Sequence, residues 1–164
     1  MLRIICLCVA MLAPLCAQAS TIANNLPGAE LRGEAVFRLF GFPLYRARLY
    51  TQAGAPLDWN RDFALELTYM RNLSRDDLTK YTLRELERTG GALPVRQQLD
   101  RCFADVQKGD RFAAVSKGQD RIGFWLNGRR TCTLQHPRIK SRFMAIFLGE
   151  DTRSRRFTRK LRGE

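Results

Sequence analysis

The chain is poor in histidine and lacks a motif that identifies a catalytic site. Its one histidine is His136, and acid–base chemistry there would need a partner that the sequence does not identify. The sequence has no nucleophile elbow, no glycine-rich phosphate loop and no metal-ligand spacing. We therefore predict no metal and no cofactor, and we exclude the enzyme classes that such motifs define.

Acidic residues are also scarce, with 16 Asp and Glu against 28 Lys and Arg, and the formal net charge is +12. The excess lies towards the C-terminal end, where residues 153–162 are nearly all basic. Such a run is usually a solvated or frayed terminus. The alternative is docking onto an anionic membrane surface or an acidic partner. Nucleic acid is not expected, because no nucleic-acid-binding motif is present.

The N-terminal apolar run is too short to span a bilayer. Arg3 precedes apolar residues 4–15, and residues 17–19 (AQA) form an A-x-A cleavage site. This pattern predicts a signal peptide over residues 1–19 and a periplasmic or secreted protein that begins at Ser20. The alternative is an N-terminal membrane anchor or a buried core segment.

Only two of the five cysteines lie beyond the predicted signal peptide, Cys102 and Cys132. In an oxidising compartment, an even pair indicates one disulfide. The alternative is two buried free thiols. The spacing is too long for a two-cysteine metal site.

Strand and helix patterns follow one another in the order β-β-β-α-α-β-β-β-α. Residues 63–69 alternate clearly between apolar and polar, Ser74 is a good helix N-cap, and Asn127-Gly128 predicts a type I′ hairpin. The predicted strands are 31–40, 44–50, 63–69, 111–116, 122–126 and 129–134, and the predicted helices start at 74, 93 and 137. We predict an α+β fold in which helices pack on one face of an antiparallel sheet.

The hairpin register bears on the predicted disulfide. A two-residue turn at 127–128 pairs Gly123 with Cys132 and puts Cys132 on the same face as Trp125. Cys102 lies on the apolar stripe of the second helix. If that helix covers this face, the two sulfur atoms can meet.

Arg32 and Tyr45 are the candidate ligand-binding residues. Arg32 lies in an apolar strand, and Tyr45 lies on the inward face of the next strand. A guanidinium and a phenol that converge in an apolar cleft would suit a carboxylate or phenolate head group. The alternative is an edge arginine and a core tyrosine without a ligand.

Six short motifs, taken in order and spacing, resemble those of the bacterial chalcone isomerase-like family. They are 31–33 (LRG), 41–50 (GFPLYRARLY), 63–69 (FALELTY), 106–110 (VQKGD), 126–128 (LNG) and 146–149 (IFLG). The family comprises exported relatives of plant chalcone isomerase and of the plant fatty-acid-binding proteins of that fold. The resemblance implies an open-faced β-sandwich, with a large antiparallel sheet covered by helices and a cleft between them. We expect this domain over residues 20–152, followed by a basic tail at 153–164.

The resemblance also assigns individual residues. Arg32 matches the arginine with which the plant enzymes hold the substrate oxyanion, and Tyr45 falls where those enzymes carry a catalytic threonine. Their active-site tyrosine falls approximately on Leu78, and Tyr81 lies one turn further along. The resemblance therefore implies a retained arginine and a changed set of hydroxyl groups.

Three functions follow as hypotheses, because a fold alone does not specify function. The first is a non-catalytic protein that binds a fatty acid or another amphipathic carboxylate through Arg32 and Tyr45. The second is an isomerase of the intramolecular lyase type, in which Arg32, Tyr45 and Tyr81 are the candidate catalytic residues for a carbonyl substrate. The third is a structural or interaction protein that uses its basic C-terminal surface.

Overall fold

The computed structural model describes residues 21–164, and the predicted signal peptide lies outside the described residues. Six strands form one antiparallel sheet in chain order. The strands are β1 (Ala29–Leu39), β2 (Phe42–Gln52), β3 (Ala64–Tyr69), β4 (Arg111–Ser116), β5 (Arg121–Leu126) and β6 (Arg129–Gln135). The helices are α1 (Thr21–Asn25), α2 (Arg75–Gly90), α3 (Arg96–Cys102), α4 (Ile139–Leu148) and α5 (Arg155–Arg162).

The main core lies on the face of the sheet that α2 to α5 cover. Leu49, Leu65 and Phe124 from the sheet pack there with Leu86 and Met144 from the helices. This arrangement confirms the predicted open-faced α+β architecture. No helix in the described part of the chain is long and apolar enough to cross a bilayer.

A smaller apolar cluster lies on the opposite face of the sheet. It contains Trp125 and Val115, and Ile22 of α1 is buried against it. Helix α1 is not among the predicted helices, which begin only at residue 74. A single buried isoleucine in a polar segment gives no helical period that the sequence could reveal.

The local signals at several turns and helix starts are confirmed. The φ angles of Asn127 and Gly128 are 50° and 83°, as a type I′ turn requires. The Ser74 hydroxyl caps α2 by accepting a hydrogen bond from the backbone N–H of Asp77 at 3.1 Å. Helix α4, however, begins two residues later than predicted, because Arg138 has a left-handed conformation with φ of 57°.

The predicted register of the last hairpin is wrong beyond its first two pairs. Trp125 lies opposite Arg130, but Phe124 lies opposite Cys132, so that Thr131 is a bulge. The one-residue shift moves Cys132 from the Trp125 face to the face that the helices cover. There it is bonded to Cys102, with a Cα–Cα distance of 5.0 Å, which confirms the predicted disulfide.

The expectation of a solvated or frayed C-terminus is wrong for residues 155–162. They form α5, which Ser154 caps by accepting a hydrogen bond from the N–H of Phe157 at 3.2 Å. Phe157 and Leu161 are buried in the main core. Gly33 permits this packing, because a Cβ atom there would clash with the Leu161 carbonyl. The basic side chains therefore lie on an amphipathic helix that is part of the domain.

Candidate ligand-binding site

A cavity of about 310 Å³ lies between the sheet and the helices, and we call it the helix–sheet cavity. Strands β1 to β4 form one wall, and α2, α4 and α5 form the other. Its apolar lining includes Phe37, Leu65, Leu67, Phe112, Leu78, Phe143, Ile146, Phe147 and Phe157. The wall is apolar because alternate residues of each strand face the helices.

Two phenols enter this apolar space from adjacent strands. Tyr45 and Tyr69 are cross-strand partners, and both line the cavity. The Tyr45 ring stacks on Phe37 with a centroid distance of 5.3 Å and meets Phe147 edge-on at 6.1 Å. These aromatic contacts fix the orientation of the Tyr45 ring.

Both phenols are held in the protonated form. Burial raises the pKa of Tyr45, and the neighbouring Tyr69 and the negative charge of Glu85 raise it further. Burial likewise raises the pKa of Tyr69. Within residues 21–164, neither hydroxyl makes a hydrogen bond. Each phenol is therefore a donor with free capacity in an apolar cavity.

The charged lining of the cavity consists of two arginines, Arg84 and Arg153, and the buried carboxylate of Glu85. Glu85 accepts hydrogen bonds from Arg88 at 2.8 Å and from Arg153 at 2.6 Å. Burial opposes ionisation, but these bonds outweigh it and hold the pKa of Glu85 below its ordinary value. Arg84 also lines the cavity, with its guanidinium 5.8 Å from the centre of the Tyr81 ring. The lining charges of Arg84, Arg153 and Glu85 sum to a net positive charge, which favours an anionic head group.

Arg32 is placed outside this cavity. Its guanidinium donates to the carbonyls of Arg162 at 3.0 Å, Gly163 at 3.2 Å and Gly54 at 3.4 Å. Arg32 is the extra residue of a bulge in β1, and the bulge directs its side chain to the C-terminal end of α5. The structure therefore does not bring Arg32 and Tyr45 together, and the predicted convergence of the two side chains is not found.

Of the other candidate residues, Tyr81 and Leu78 lie at the cavity and His136 lies at the surface away from it. Tyr81 and Leu78 line the cavity from α2, and 48% of Tyr81 is exposed. The Nδ1 atom of His136 lies 3.0 Å from the Pro137 carbonyl at the surface. No cluster of three or more potential metal ligands occurs among residues 21–164.

Glu85 is the most informative polar residue of the site, and it was not among the predicted site residues. One signal was available, because Leu78, Tyr81 and Glu85 are spaced i, i+3 and i+7 on α2. This spacing puts a carboxylate on the apolar stripe of the helix, where an unpaired charge is unfavourable. Its partner Arg153 could not be identified from sequence, because it is 68 residues away.

Comparisons with known proteins agree with this architecture. A family model described as chalcone isomerase-like matches residues 17–163, so the chain belongs to the chalcone isomerase-like family, as its motifs predicted. A solved fatty-acid binding protein from Arabidopsis thaliana is similar, with a TM-score of 0.66 and 10% sequence identity. The match covers 84% of this chain and 88% of that chain, and at this identity it shows a shared fold. No curated protein matches the chain.

Proposed function

We propose that this protein binds a fatty acid or another amphipathic carboxylate in the helix–sheet cavity and does not catalyse a reaction on it. The observation that carries the proposal is an apolar cavity with arginines at one end. Its volume of about 310 Å³ lies at the lower end of the range of small-molecule sites, roughly 300–1,000 Å³. The apolar walls suit an acyl chain, and the cationic end suits its carboxylate. The Arabidopsis fatty-acid binding protein of the same fold supports this ligand class.

The head group is assigned to the end of the cavity where Tyr45, Glu85 and Arg153 meet. The charge of Glu85 acts on the Tyr45 phenol, and Arg153 is bonded to the same carboxylate. Arg88 and Arg153 offset the negative charge of Glu85, and Arg84 adds a further positive charge. A ligand carboxylate at this point would accept a hydrogen bond from Tyr45 and ion pairs from the arginines.

The placement of Arg32 favours binding over isomerase or lyase chemistry. In the plant enzymes, the matching arginine holds the substrate oxyanion, but here its guanidinium is bonded to three backbone carbonyls. The two cavity phenols are donors and not bases, because burial raises their pKa values. Oxyanion stabilisation of the plant type needs donors aimed at the developing charge, and Arg32 does not supply one here.

Isothermal titration calorimetry with a series of saturated fatty acids tests the proposal. Each additional buried methylene should tighten binding by about 0.8 kcal/mol, or about fourfold, until the cavity is full. The matching fatty alcohols should bind more weakly, because they lack the charge. The variant Leu78→Trp fills the cavity and should abolish binding. The matched control is Leu83→Trp, since Leu83 packs on the core from the same helix but does not line the cavity.

Two results would overturn the proposal. One is an affinity that does not depend on chain length. The other is wild-type binding in a folded Leu78→Trp variant, which would mean that the ligand is not in the cavity.

We also propose that the protein acts after export. The predicted signal peptide lies outside the described residues, and the support from the fold is the Cys102–Cys132 disulfide, which suits an oxidising compartment. Intact mass measurement of a periplasmic fraction should find a chain that begins at Ser20, with neither cysteine alkylated before reduction. A full-length chain in the cytoplasmic fraction alone would contradict export.

A further inference from the structure

Exposed large hydrophobic side chains are concentrated at the mouth of the helix–sheet cavity. Among residues 21–164 there are four, and only Leu31 lies away from the mouth. The other three are Phe40, Phe42 and Tyr81, exposed by 91%, 58% and 48%, which we call the aromatic rim. Phe40 and Tyr81 line the cavity, and Phe42 is the first residue of β2, directly after the turn that contains Phe40.

Neither the packing nor the turn geometry explains the phenylalanine at the turn. Phe40 and Gly41 both have positive φ angles, 51° and 83°. Such a turn favours Asn or Gly at its first central position, and a bulky residue with positive φ is disfavoured. Because the Phe40 side chain is 91% exposed, intramolecular packing does not offset that cost.

Exposed arginines accompany the aromatic rim. The Arg71 guanidinium lies 5.0 Å from the centre of the Phe42 ring, and the Arg84 guanidinium lies 5.8 Å from that of Tyr81. Arg38 donates a hydrogen bond to the Gly41 carbonyl at 3.2 Å. At a membrane surface, aromatic rings can lie between the acyl chains and the head groups while arginines pair with anionic head groups.

We propose that the aromatic rim docks the mouth of the cavity onto an anionic phospholipid bilayer. The aromatic side chains enter the head-group region, and Arg38, Arg71 and Arg84 contact lipid phosphates. A lipid surface fits better than a protein partner, because one hairpin turn and one helix residue form too small a patch for a stable protein interface, which buries about 800 Å² on each partner. If the protein binds a fatty acid as proposed, docking would let that fatty acid pass between the bilayer and the cavity. Docking itself does not depend on the proposed function.

Vesicle flotation tests this inference, with phosphatidylcholine vesicles compared with vesicles that also contain phosphatidylglycerol. The wild-type protein should float with the anionic vesicles and lose that binding in high salt. The double variant Phe42→Ser/Arg71→Gln should bind them at least tenfold more weakly, because one arginine near the surface contributes about fivefold and an inserted aromatic ring about tenfold. The matched control is Leu31→Ser/Arg129→Gln, which removes an exposed apolar side chain and an exposed arginine outside the rim. It should bind like the wild type.

The basic surface of α5 is the competing membrane contact. The variant Arg159→Gln/Lys160→Gln removes two exposed charges from that helix. If this variant loses vesicle binding and the Phe42→Ser/Arg71→Gln variant keeps it, the aromatic rim is not the docking surface. Thermal unfolding of every variant, followed by circular dichroism, establishes that each protein is folded at the temperature of the flotation assay.

Calorimetry with laurate separates this inference from the proposed function. Neither Phe42 nor Arg71 lines the cavity, so the rim variant should bind laurate as the wild type does. A wild-type protein that binds laurate but neither kind of vesicle would overturn docking alone. One that floats with anionic vesicles through its rim, but binds no fatty acid, would support docking and overturn the proposed function.

Discussion

Tyr45 on β2 and Tyr69 on β3 are cross-strand neighbours whose phenols enter the same apolar cavity. Neither hydroxyl has a hydrogen-bond partner within residues 21–164, and burial raises the pKa of both. Neither hydroxyl oxygen is among the fully buried side-chain atoms that lack a partner in the described residues, so both open onto the cavity. The unliganded fold therefore contains donors that an anionic ligand would satisfy, and the pair should matter more for binding than for stability.

Replacing Tyr45 with Phe should separate the two effects. The variant keeps the aromatic contacts but lacks the hydroxyl, so its free energy of unfolding should equal or exceed that of the wild type. Its affinity for laurate should fall by about 1.5–3 kcal/mol, because a hydrogen bond to the carboxylate is lost. Urea unfolding and calorimetry measure the two quantities. The control is Tyr50→Phe, because Tyr50 lies on the opposite face of β2. If Tyr45→Phe binds laurate with the affinity of the wild type, Tyr45 does not contact the ligand carboxylate.

Arg32→Ala should destabilise the fold without weakening ligand binding. The guanidinium satisfies the carbonyls of Arg162 and Gly163 at the C-terminal end of α5. Because the side chain is only partly buried, we expect a loss of about 1–2 kcal/mol in the free energy of unfolding. Urea unfolding should show this loss in Arg32→Ala but not in Arg121→Ala, an exposed arginine on β5. If Arg32→Ala instead keeps the wild-type free energy of unfolding but no longer binds laurate, Arg32 is part of the ligand site.

Glu85→Gln should make stability less sensitive to acid. Burial disfavours the charge, but Arg88 and Arg153 hold the pKa of Glu85 below its ordinary value. Its contribution is therefore complete above the unfolded-state pKa of about 4.3 and is lost as the pH falls through the lower folded-state pKa. At neutral pH the wild type should exceed the variant by about 1–2 kcal/mol.

Urea unfolding at several pH values measures this difference. It should shrink below pH about 4. Glu87→Gln, which changes an exposed glutamate of the same helix, is the control and should show little difference at any pH. A wild-type advantage that stays constant down to the lowest pH would show that the Glu85 carboxylate is not the source of that stability.

Removing the Cys102–Cys132 bond should lower the free energy of unfolding by about 2–4 kcal/mol. The bond joins positions 30 residues apart and ties α3 to β6. The double variant Cys102→Ala/Cys132→Ala and the reduced wild type should show similar losses in urea unfolding. Alkylation of both cysteines in the native protein without reductant would mean that the bond is absent.

The regular parts of the fold could be predicted because their signals are local. Alternation in residues 63–69 defined β3, and Asn127-Gly128 defined the last hairpin. The bulge at Thr131 could not be predicted, because an ideal two-residue hairpin has no extra residue and residues 129–134 carry no local signal for one. Its effect was to move Cys132 to the other face, which the ideal register does not allow.

The site was less predictable because long-range contacts determine it. Tyr45 was placed correctly on the inward face by its strand period. Arg32 was expected in the cleft, but it bonds to a helix that had been expected to be a solvated tail. Residues 155–162 contain only two apolar residues at helical spacing, Phe157 and Leu161, which is too few to predict a packed helix among so many basic residues.

Native mass spectrometry of protein purified without detergent, followed by organic extraction, tests the central claim most directly. We predict a bound carboxylate on the wild type and on Leu83→Trp, and its loss from the cavity-filling variant Leu78→Trp. The extract would identify the ligand class. A ligand-free mass for the wild type that persists after laurate is added would contradict the claim that the helix–sheet cavity binds an amphipathic carboxylate.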